Sequence, residues 1–492
     1  MDSFTDFLKT KDKLKVILSK YFREYMVNGG VCTNCKRLNT GYAWCNKCDP
    51  GRFVREGKTS GNVEMDEFIC ERQQQTLHYC DNLEWIPYDC FKEVIPIGEG
   101  GFSEIYSATW LEGAPKYDKK KARTCPIKVA LKKPKNLNIT AFINEVRMHN
   151  ECNYANLHIT QLYGITKNPD TEEFMMVLEY ATHGSLRDYL KNKYTELKWK
   201  DKLEILINII DNLEFIHDRN YIHKDLHSGN ILQFYYNDLI DTKITDLGLA
   251  QQQFDNLKHD SSLVCGVLPY MAPEILNGKP YTFASDVYSF GIIMVEVSTG
   301  KPPYGNVPHD EKLALAICNG LRPKVAKGTL KCYIHFLNQC LDANPEKRPT
   351  SKEILQKIRN WRFHDDCTHS KELFPKKLST HSRNDIAHQL RIKFCLRGVD
   401  MDFQVKESVP NGENVKMFKE FIDADEDNDK DKNESSVETM FHLGAIYTSR
   451  LMNFNNLCEP RNSIGIQIED SEFSDLINEL VAQLNNSIKI KT

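Results

Sequence analysis

The stretch His223-Lys224-Asp225-Leu226-His227-Ser228-Gly229-Asn230, followed by Asp246-Leu247-Gly248, decides how the rest of this chain is read. Asp225 and Asn230 fall on one loop, where a carboxylate able to take a hydroxyl proton sits near an amide oxygen able to hold a cation. Asp246 adds a second carboxylate on a turn that leaves through Gly248. Upstream, Val129-Ala130-Leu131-Lys132 has the composition of a buried strand ending in an amine. Glu145, within the helical run Ala141–His149, can hold that ammonium by charge pairing. Further upstream, Ile97-Gly98-Glu99-Gly100-Gly101-Phe102-Ser103-Glu104-Ile105-Tyr106 places glycines between two strand-like runs, where backbone N–H groups can approach anionic oxygens with no Cβ in the way. A plain hairpin turn would also explain those glycines; the order of all four stretches together is what argues for phosphate handling.

Outward from these motifs, apolar alternation predicts strands from Phe91 and over 104–110, 126–133 and 174–180, with helices from there to Arg362. Strands first and helices after predict a small sheet-rich lobe joined to a larger helical one. Tyr270-Met271-Ala272-Pro273-Glu274 closes the segment that Asp246 opens.

In that order and spacing, the region from about Phe91 to Trp361 resembles the eukaryotic protein kinase superfamily, and its tyrosine-kinase-like group in particular. The resemblance implies an α+β, bilobal protein kinase fold, with a small β-rich N-lobe and a larger α-helical C-lobe. It implies ATP and Mg2+ as cofactors and transfer of a γ-phosphoryl group to a protein hydroxyl, serine or threonine in preference to tyrosine, in intracellular signalling. Residue by residue, it has Lys132 hold the α- and β-phosphates, tethered by Glu145, under a loop of Gly98, Gly100, Gly101 and Ser103. It has Asp246 and Asn230 ligate magnesium, and Asp225 orient the acceptor and take its proton. Ile105, Ala130 and Leu232 would sandwich adenine. Glu179 and Ala181 would hydrogen-bond the base through their backbone, behind Leu178, and Leu247 would stack beneath His223. Asp286 would anchor the backbone of the Asp225 loop, and Glu274 would pair with Arg348.

Four positions depart from the family pattern. Ser103 replaces a glycine, and Lys224 replaces an arginine, keeping the charge but losing the bidentate fork. His227 stands where serine/threonine kinases place a lysine, and Val267 where they place a threonine and tyrosine kinases a proline. These last two leave a tyrosine or dual-specificity kinase, and a pseudokinase serving as a nucleotide-binding scaffold or switch, as alternative readings. Ser261 and Ser262 are candidate regulatory phosphorylation sites, with Lys224 as counter-charge.

Cys32-x-x-Cys35 and Cys45-x-x-Cys48 enclose a turn signal at Asn39-Thr40-Gly41. Two such knuckles can offer four thiolates to one structural Zn2+, in the manner of zinc-ribbon-like modules. The remaining cysteines are scattered singly, and no secretion-type leader is read at MDSFTDFLKT, so a disulfide framework is not expected. Lys36, Arg37, Lys47, Arg52, Arg55 and Lys58 make the module locally basic. That charge is read as a solvated face on a protein-binding ribbon, and a nucleic-acid partner is not expected.

With 64 basic and 68 acidic residues, the chain carries no global pull toward polyanions, and no apolar run reaches membrane-span length. The expected organisation is an amphipathic helix in 1–30, the zinc-ribbon-like module over 31–60, a polar helical connector over 61–90, the kinase domain over 91–362, and an acidic, largely disordered tail over 363–492 with short helices at 441–456 and 474–489. Asp423–Glu434 imitates a calcium loop but has Asn428 for the glycine and Lys430 for the apolar position, so calcium binding is not expected. Partners would be a protein substrate and proteins docking on the N-terminal module or the tail. The cytoplasm is the expected compartment, with the nucleus as the alternative.

Overall fold

The computed structural model describes residues 30–41, 43–76, 79–116, 122–135, 138–152, 159–236, 239–252, 263–362, 441–454 and 457–462. The expected N-terminal helix, Ser261 and Ser262, the acidic run to 440 with its calcium-like stretch, and the helix at 474–489 lie outside the described residues. The chain divides into two compact units, one running to Asn156 and including Gln161–Tyr180, the other comprising Leu157–Thr160 and the chain from Ala181.

In the first unit the cysteine knuckles lead into a short helix α1 (Arg52–Arg55) and then α2 (Val63–Gln74), started by the Asn62 side chain, which accepts from Met65 N–H. The strands are β1 (Glu84–Trp85), β2 (Phe91–Glu99), β3 (Ser103–Trp110), β4 (Pro115–Lys116), β5 (Ala122–Arg123) and β6 (Ile127–Pro134); helix α3 (Ile139–Cys152) follows, then β7 (Leu162–Lys167) and β8 (Phe174–Glu179). Six of them form one sheet in the order β1-β7-β8-β6-β3-β2. The two-residue period separates its faces. Val129 and Leu131 turn to a cluster with Trp110, Phe91, Tyr163 and Val177. Ala130 turns to the opposite cluster, built from Met176, Leu178, Phe142, Ile143 and Val146, on the side that α3 covers.

Two sequence expectations are corrected here. The segment 61–90 is no connector: Met65, Phe68 and Ile69 of α2, with Leu83, lie inside the α3 cluster, and β1 adds a parallel edge to β7. Three buried apolar residues spaced i, i+3, i+4 suffice to anchor a helix most of whose remaining positions are charged or polar, so the average polarity of the stretch hid a narrow buried stripe. The other correction is β7, which was not anticipated because Gly164 breaks its pattern. That glycine is required by β1, since a Cβ there would meet Glu84 O at 2.2 Å.

The second unit is mainly helical: α4 (Leu186–Lys193), α5 (Trp199–Asp218), then β9 (Tyr221–Ile222), β10 (Ile231–Tyr236), β11 (Leu239–Ile244), β12 (Gln251–Gln252) and β13 (Leu263–Gly266), and the helices α6 (Pro273–Leu276), α7 (Phe283–Thr299), α8 (Glu311–Cys318), α9 (Lys331–Cys340) and α10 (Ser351–Arg362). Helix α7 is buried almost throughout, from Ser285 to Ser298. The predicted Glu274–Arg348 pair is bidentate, at 2.6 and 2.7 Å, with the arginine side chain fully buried.

The segment 441–456 is not the expected short helix. Its described residues turn until Arg450, then run as β14 (Arg450–Asn453), antiparallel to β13. The backbone groups of β14 are satisfied by a neighbouring strand, an option that local periodicity cannot reveal. If α2 is part of the core, Ile69→Ala removes a fully buried side chain and should destabilise the protein by about 2–5 kcal/mol, read from urea unfolding of the full chain; a loss below about 0.5 kcal/mol would return α2 to the role of a surface connector.

Candidate functional site

In the first unit, Lys132 lies on β6 and Glu145 on α3, and the ammonium donates to Glu145 Oε1 at 2.7 Å with both side chains buried. The register sets Ile105 opposite Lys132, Ser107 opposite Ala130, and Ala130 opposite Leu178, so Ile105, Ala130, Lys132 and Leu178 share one face of the sheet. Lys133, one residue on, points to the other side and pairs with Glu104 at 2.9 Å.

The glycine run forms the tip of the β2–β3 hairpin. Gly98 pairs with Ile105, Glu99 with Glu104, and Gly100 N–H donates to Ser103 O at 2.8 Å. A Cβ on Gly98 would meet no atom within 4 Å, so packing does not demand glycine there. Lys135, which the sequence reading passed over, supports the tip: its ammonium pairs with Glu99 and donates to Gly100 O at 3.1 Å. Glu179 ends β8, and its N–H donates to Gln161 O at 2.9 Å.

The second unit holds Ala181, Asp225, Asn230, Leu232 and Asp246. Ala181 O accepts from Gly184 N–H at 3.3 Å, and Leu232, half-buried on β10, bridges to Ser185. The loop carrying Asp225 hangs from α7. Asp286 takes His223 N–H at 2.8 Å and Lys224 N–H at 3.0 Å, and its Oδ2 lies 3.0 Å from His217 Nε2. This pull holds Lys224 at φ 70°, a left-handed conformation that a lysine adopts only under constraint. Asp246 also sits left-handed, at φ 63°, with Gly248 N–H aimed at its Oδ1. Deeper still, Glu296 of α7 accepts from Ser228 Oγ at 2.8 Å and Tyr270 OH at 2.7 Å, which closes the floor of the loop.

Asn230 Nδ2 donates to Asp225 O at 2.9 Å and to Oδ2 at 3.2 Å. With the amide nitrogen committed to the loop, its oxygen is turned away from Asp225. Asp225 is buried and its Oδ1 accepts no hydrogen bond among the described residues. Burial opposes its ionisation, and Asp246 adds to that. The His227 ring and the Ser449 hydroxyl, both turned to the carboxylate, outweigh these and hold its carboxyl below the usual range. His227 Nδ1 accepts from Gly229 N–H at 3.0 Å, which leaves the ring proton on Nε2, the nitrogen facing Asp225 Oδ2 at 3.7 Å. Cys265, nearby on β13, has its thiol pushed up to about 12 by burial and by Asp225.

Ser449 was not among the expected site residues. It lies in the turn before β14, 8% exposed, and donates to Asp225 Oδ2 at 2.5 Å. The available signal was a hydroxyl pair, Thr448-Ser449, set among Ile446, Tyr447, Leu451 and Met452 within a tail otherwise rich in acids.

The four cysteines do converge. The Sγ atoms of Cys32, Cys35, Cys45 and Cys48 all lie within 4.8 Å of one another. Lys36 N–H donates to Cys32 O and Asp49 N–H to Cys45 O, which folds each pair into a knuckle. Backbone N–H groups at Cys35 and Asn34 bring the Cys32 thiol down to about 7 against its burial, while burial and the other thiols push Cys48 up to about 12. Four thiols so close cannot all ionise unless a cation shares them. Of the basic residues, Arg55 is engaged structurally, donating to Pro50 O and Cys48 O, and Arg52 pairs with Glu56.

Residues 91–358 match the family described as protein tyrosine and serine/threonine kinase. The chain is 28% identical over 265 residues to a protein of Dictyostelium discoideum named "Probable serine/threonine-protein kinase", covering 54% of this chain and 15% of that one. It is 27% identical over 315 residues to a protein of Acanthamoeba polyphaga mimivirus, provisionally named a serine/threonine-protein kinase/receptor, covering 63% of this chain and 18% of the relative. The chain thus spans less than a fifth of the length of these curated relatives. Among the described residues, no helix is long and apolar enough to cross a membrane.

The geometry makes Asp286 the peg of the Asp225 loop. Asp286→Ala should orphan two N–H groups, that of His223 buried and that of Lys224 half-buried, and lower stability by about 2–6 kcal/mol in urea unfolding of the full chain. A change under about 1 kcal/mol would mean that the loop holds its shape without the peg.

Proposed function

The chain belongs to the family of protein tyrosine and serine/threonine kinases, and from that membership we propose that it transfers the γ-phosphoryl group of ATP to a protein hydroxyl, serine or threonine in preference to tyrosine. The observation that carries this reading is Asp225: a buried carboxylate, held ionised, on a loop pegged by Asp286, with one oxygen already bonded to a serine hydroxyl. A carboxylate in that state can orient an alcohol and take its proton as the oxygen attacks phosphorus.

Lys132, fixed by Glu145, supplies a positioned cation for the α- and β-phosphates. The open space at Gly98 suits a backbone that approaches phosphate oxygens, with Gly100, Gly101 and Ser103 at the same hairpin tip. Ile105 and Ala130 offer apolar contact for adenine on the Lys132 face, and the family resemblance adds Glu179, Ala181 and Leu232 to the proposal. Asn230 and Asp246 are hard oxygen donors, which fits Mg2+. Bound magnesium would neutralise charge on the transferring phosphates. The pseudokinase reading lacks support from these features, since the charged groups that turnover requires are all in the chain. The tyrosine-kinase-like group, a role in signalling, a cytoplasmic location and protein partners at the N-terminal module or tail belong to the same proposal. The four thiols over 31–60 would hold structural Zn2+, whose binding energy a segment with so small a core needs in order to fold.

Purified full-length chain with Mg2+ and labelled ATP should phosphorylate a generic protein substrate on serine or threonine, and Asp225→Asn should slow this about 10²–10⁴-fold. Equal incorporation by the two proteins, or phosphotyrosine alone, would overturn the catalytic reading or its specificity. Separately, elemental analysis should find one zinc per chain, and chelation should expose the four cluster thiols to a thiol reagent. Metal-free protein with these thiols already protected would refute the zinc assignment.

A further inference from the structure

The tail segment from 441 to 462 lies on the helical unit through contacts that run its whole described length. His442 N–H donates to Gly305 O at 2.8 Å. His309 is clasped on two sides: its own N–H donates to Gly444 O at 2.8 Å, and its ring Nδ1 lies 2.7 Å from Ile446 O and 3.0 Å from Ile446 N. Tyr447 donates to Pro303 O at 2.7 Å while the Arg187 guanidinium lies 4.8 Å above its ring and donates to Tyr447 O. Arg450 donates to His309 O. Beyond the turn, β14 pairs with β13 in the register Gly266 with Arg450, Cys265 with Leu451, Val264 with Met452 and Leu263 with Asn453. Cys458 O accepts from Asn277 Nδ2, and Arg461 N–H donates to Cys318 O, both at 2.9 Å.

These contacts on both sides of Ser449 set its hydroxyl at one point: 2.5 Å from Asp225 Oδ2 and 3.4 Å from His227 Nε2. An extended segment that adds a strand to an open edge and offers one side chain to a reactive group is the geometry of a bound peptide substrate. The bonded atom is an alcohol oxygen donating to an ionised carboxylate, which is the ground state of proton abstraction. A segment that merely blocked the site would have no use for a hydroxyl there.

We propose that Ser449 is a phosphoacceptor of this chain's own catalytic site, modified within the same molecule, a proposal that rests on the kinase reading above. In the reaction, Ser449 Oγ bonds to the γ-phosphorus of ATP, and the bond from that phosphorus to the β–γ bridging oxygen breaks. The hydroxyl proton passes to Asp225, and ADP leaves with the electron pair of the broken bond. The acceptor class is therefore a seryl hydroxyl with apolar or aromatic residues two before and two after it, here Tyr447 and Leu451, and a basic residue directly following, Arg450.

The test incubates full-length chain with Mg2+ and labelled ATP, adds a generic protein substrate to the same reaction, and maps phosphopeptides. Phosphate is expected on Ser449, with a first-order rate that does not change as the chain is diluted. Ser449→Ala should reduce label in that peptide to background, and Ser449→Thr should restore it as phosphothreonine. In a mixture with wild type, a tagged Asp225→Asn chain should remain unlabelled at Ser449. Label on the generic substrate but none on Ser449 would overturn this proposal and leave the kinase reading standing. No label on either would overturn both, and labelling of the tagged chain, or a rate that rises with chain concentration, would overturn modification within one molecule.

Discussion

A single carboxylate inside α7 sets the geometry of the loop that carries Asp225. Asp286 accepts the N–H groups of two successive residues, His223 and Lys224, and so bends the backbone left-handed just before Asp225. A left-handed lysine is unfavourable by itself, by about 1–3 kcal/mol, and persists because two charge-assisted hydrogen bonds over-determine it. The consequence is a reversal of chain direction that turns Asp225 inward, where Asn230 locks its Oδ2 and leaves Oδ1 without a partner among the described residues. Glu296, with Ser228 and Tyr270, stiffens the same loop from below. Helix α7 thus supplies two buried acids that fix the loop on which Asp225 stands.

The first unit solves a related problem with opposite sign. Lys132 is a buried cation, which burial alone would penalise, and Glu145 on α3 neutralises it at 2.7 Å. Because α3 is seated on the sheet by Phe142, Ile143 and Val146, and α2 adds Met65, Phe68 and Ile69 to the same cluster, packing well outside the kinase-matching residues contributes to where Glu145 stands. The segment just N-terminal to the kinase-matching residues is therefore part of that lobe's core. The hydrogen bond from Gly51 N–H to Gln73 Oε1 on α2 carries the connection back to the cysteine knuckles.

Much of this was legible in the residues. Motifs whose chemistry is local, such as Asp225 with Asn230, the glycine hairpin and the paired Cys-x-x-Cys knuckles, come together as expected because short spacing fixes which groups can meet. Asp286 and the Glu274–Arg348 pair were anticipated by resemblance alone, since nothing in their spacing brings them to their partners. What escaped were features decided by a distant surface. Helix α2 buries three apolar residues, Met65, Phe68 and Ile69, among many charges, and α3 gives that stripe a place to be buried. Strand β7 hides behind Gly164, whose missing side chain makes room for β1. The tail around Ser449 has no periodicity of its own and takes its extended form from β13.

His227 then acquires a meaning that its departure from the family pattern did not suggest. A lysine there would bring a full positive charge beside Asp225. The imidazole, with Nδ1 accepting from Gly229, instead turns its Nε2 edge toward the Asp225–Ser449 pair. At 3.4 Å from the serine oxygen, that nitrogen helps fix where the hydroxyl stands. The arrangement is also self-limiting. A phosphate on Ser449 carries a charge of about −1.5 to −2 and would face the Asp225 carboxylate in a buried site, where like charges repel strongly. On the proposed reading, the hydrogen bond that seats the unmodified serine would become a repulsion in the product. The segment that lies against Asp225 before transfer would then be driven from it afterwards, and Asp225 would be open to another hydroxyl.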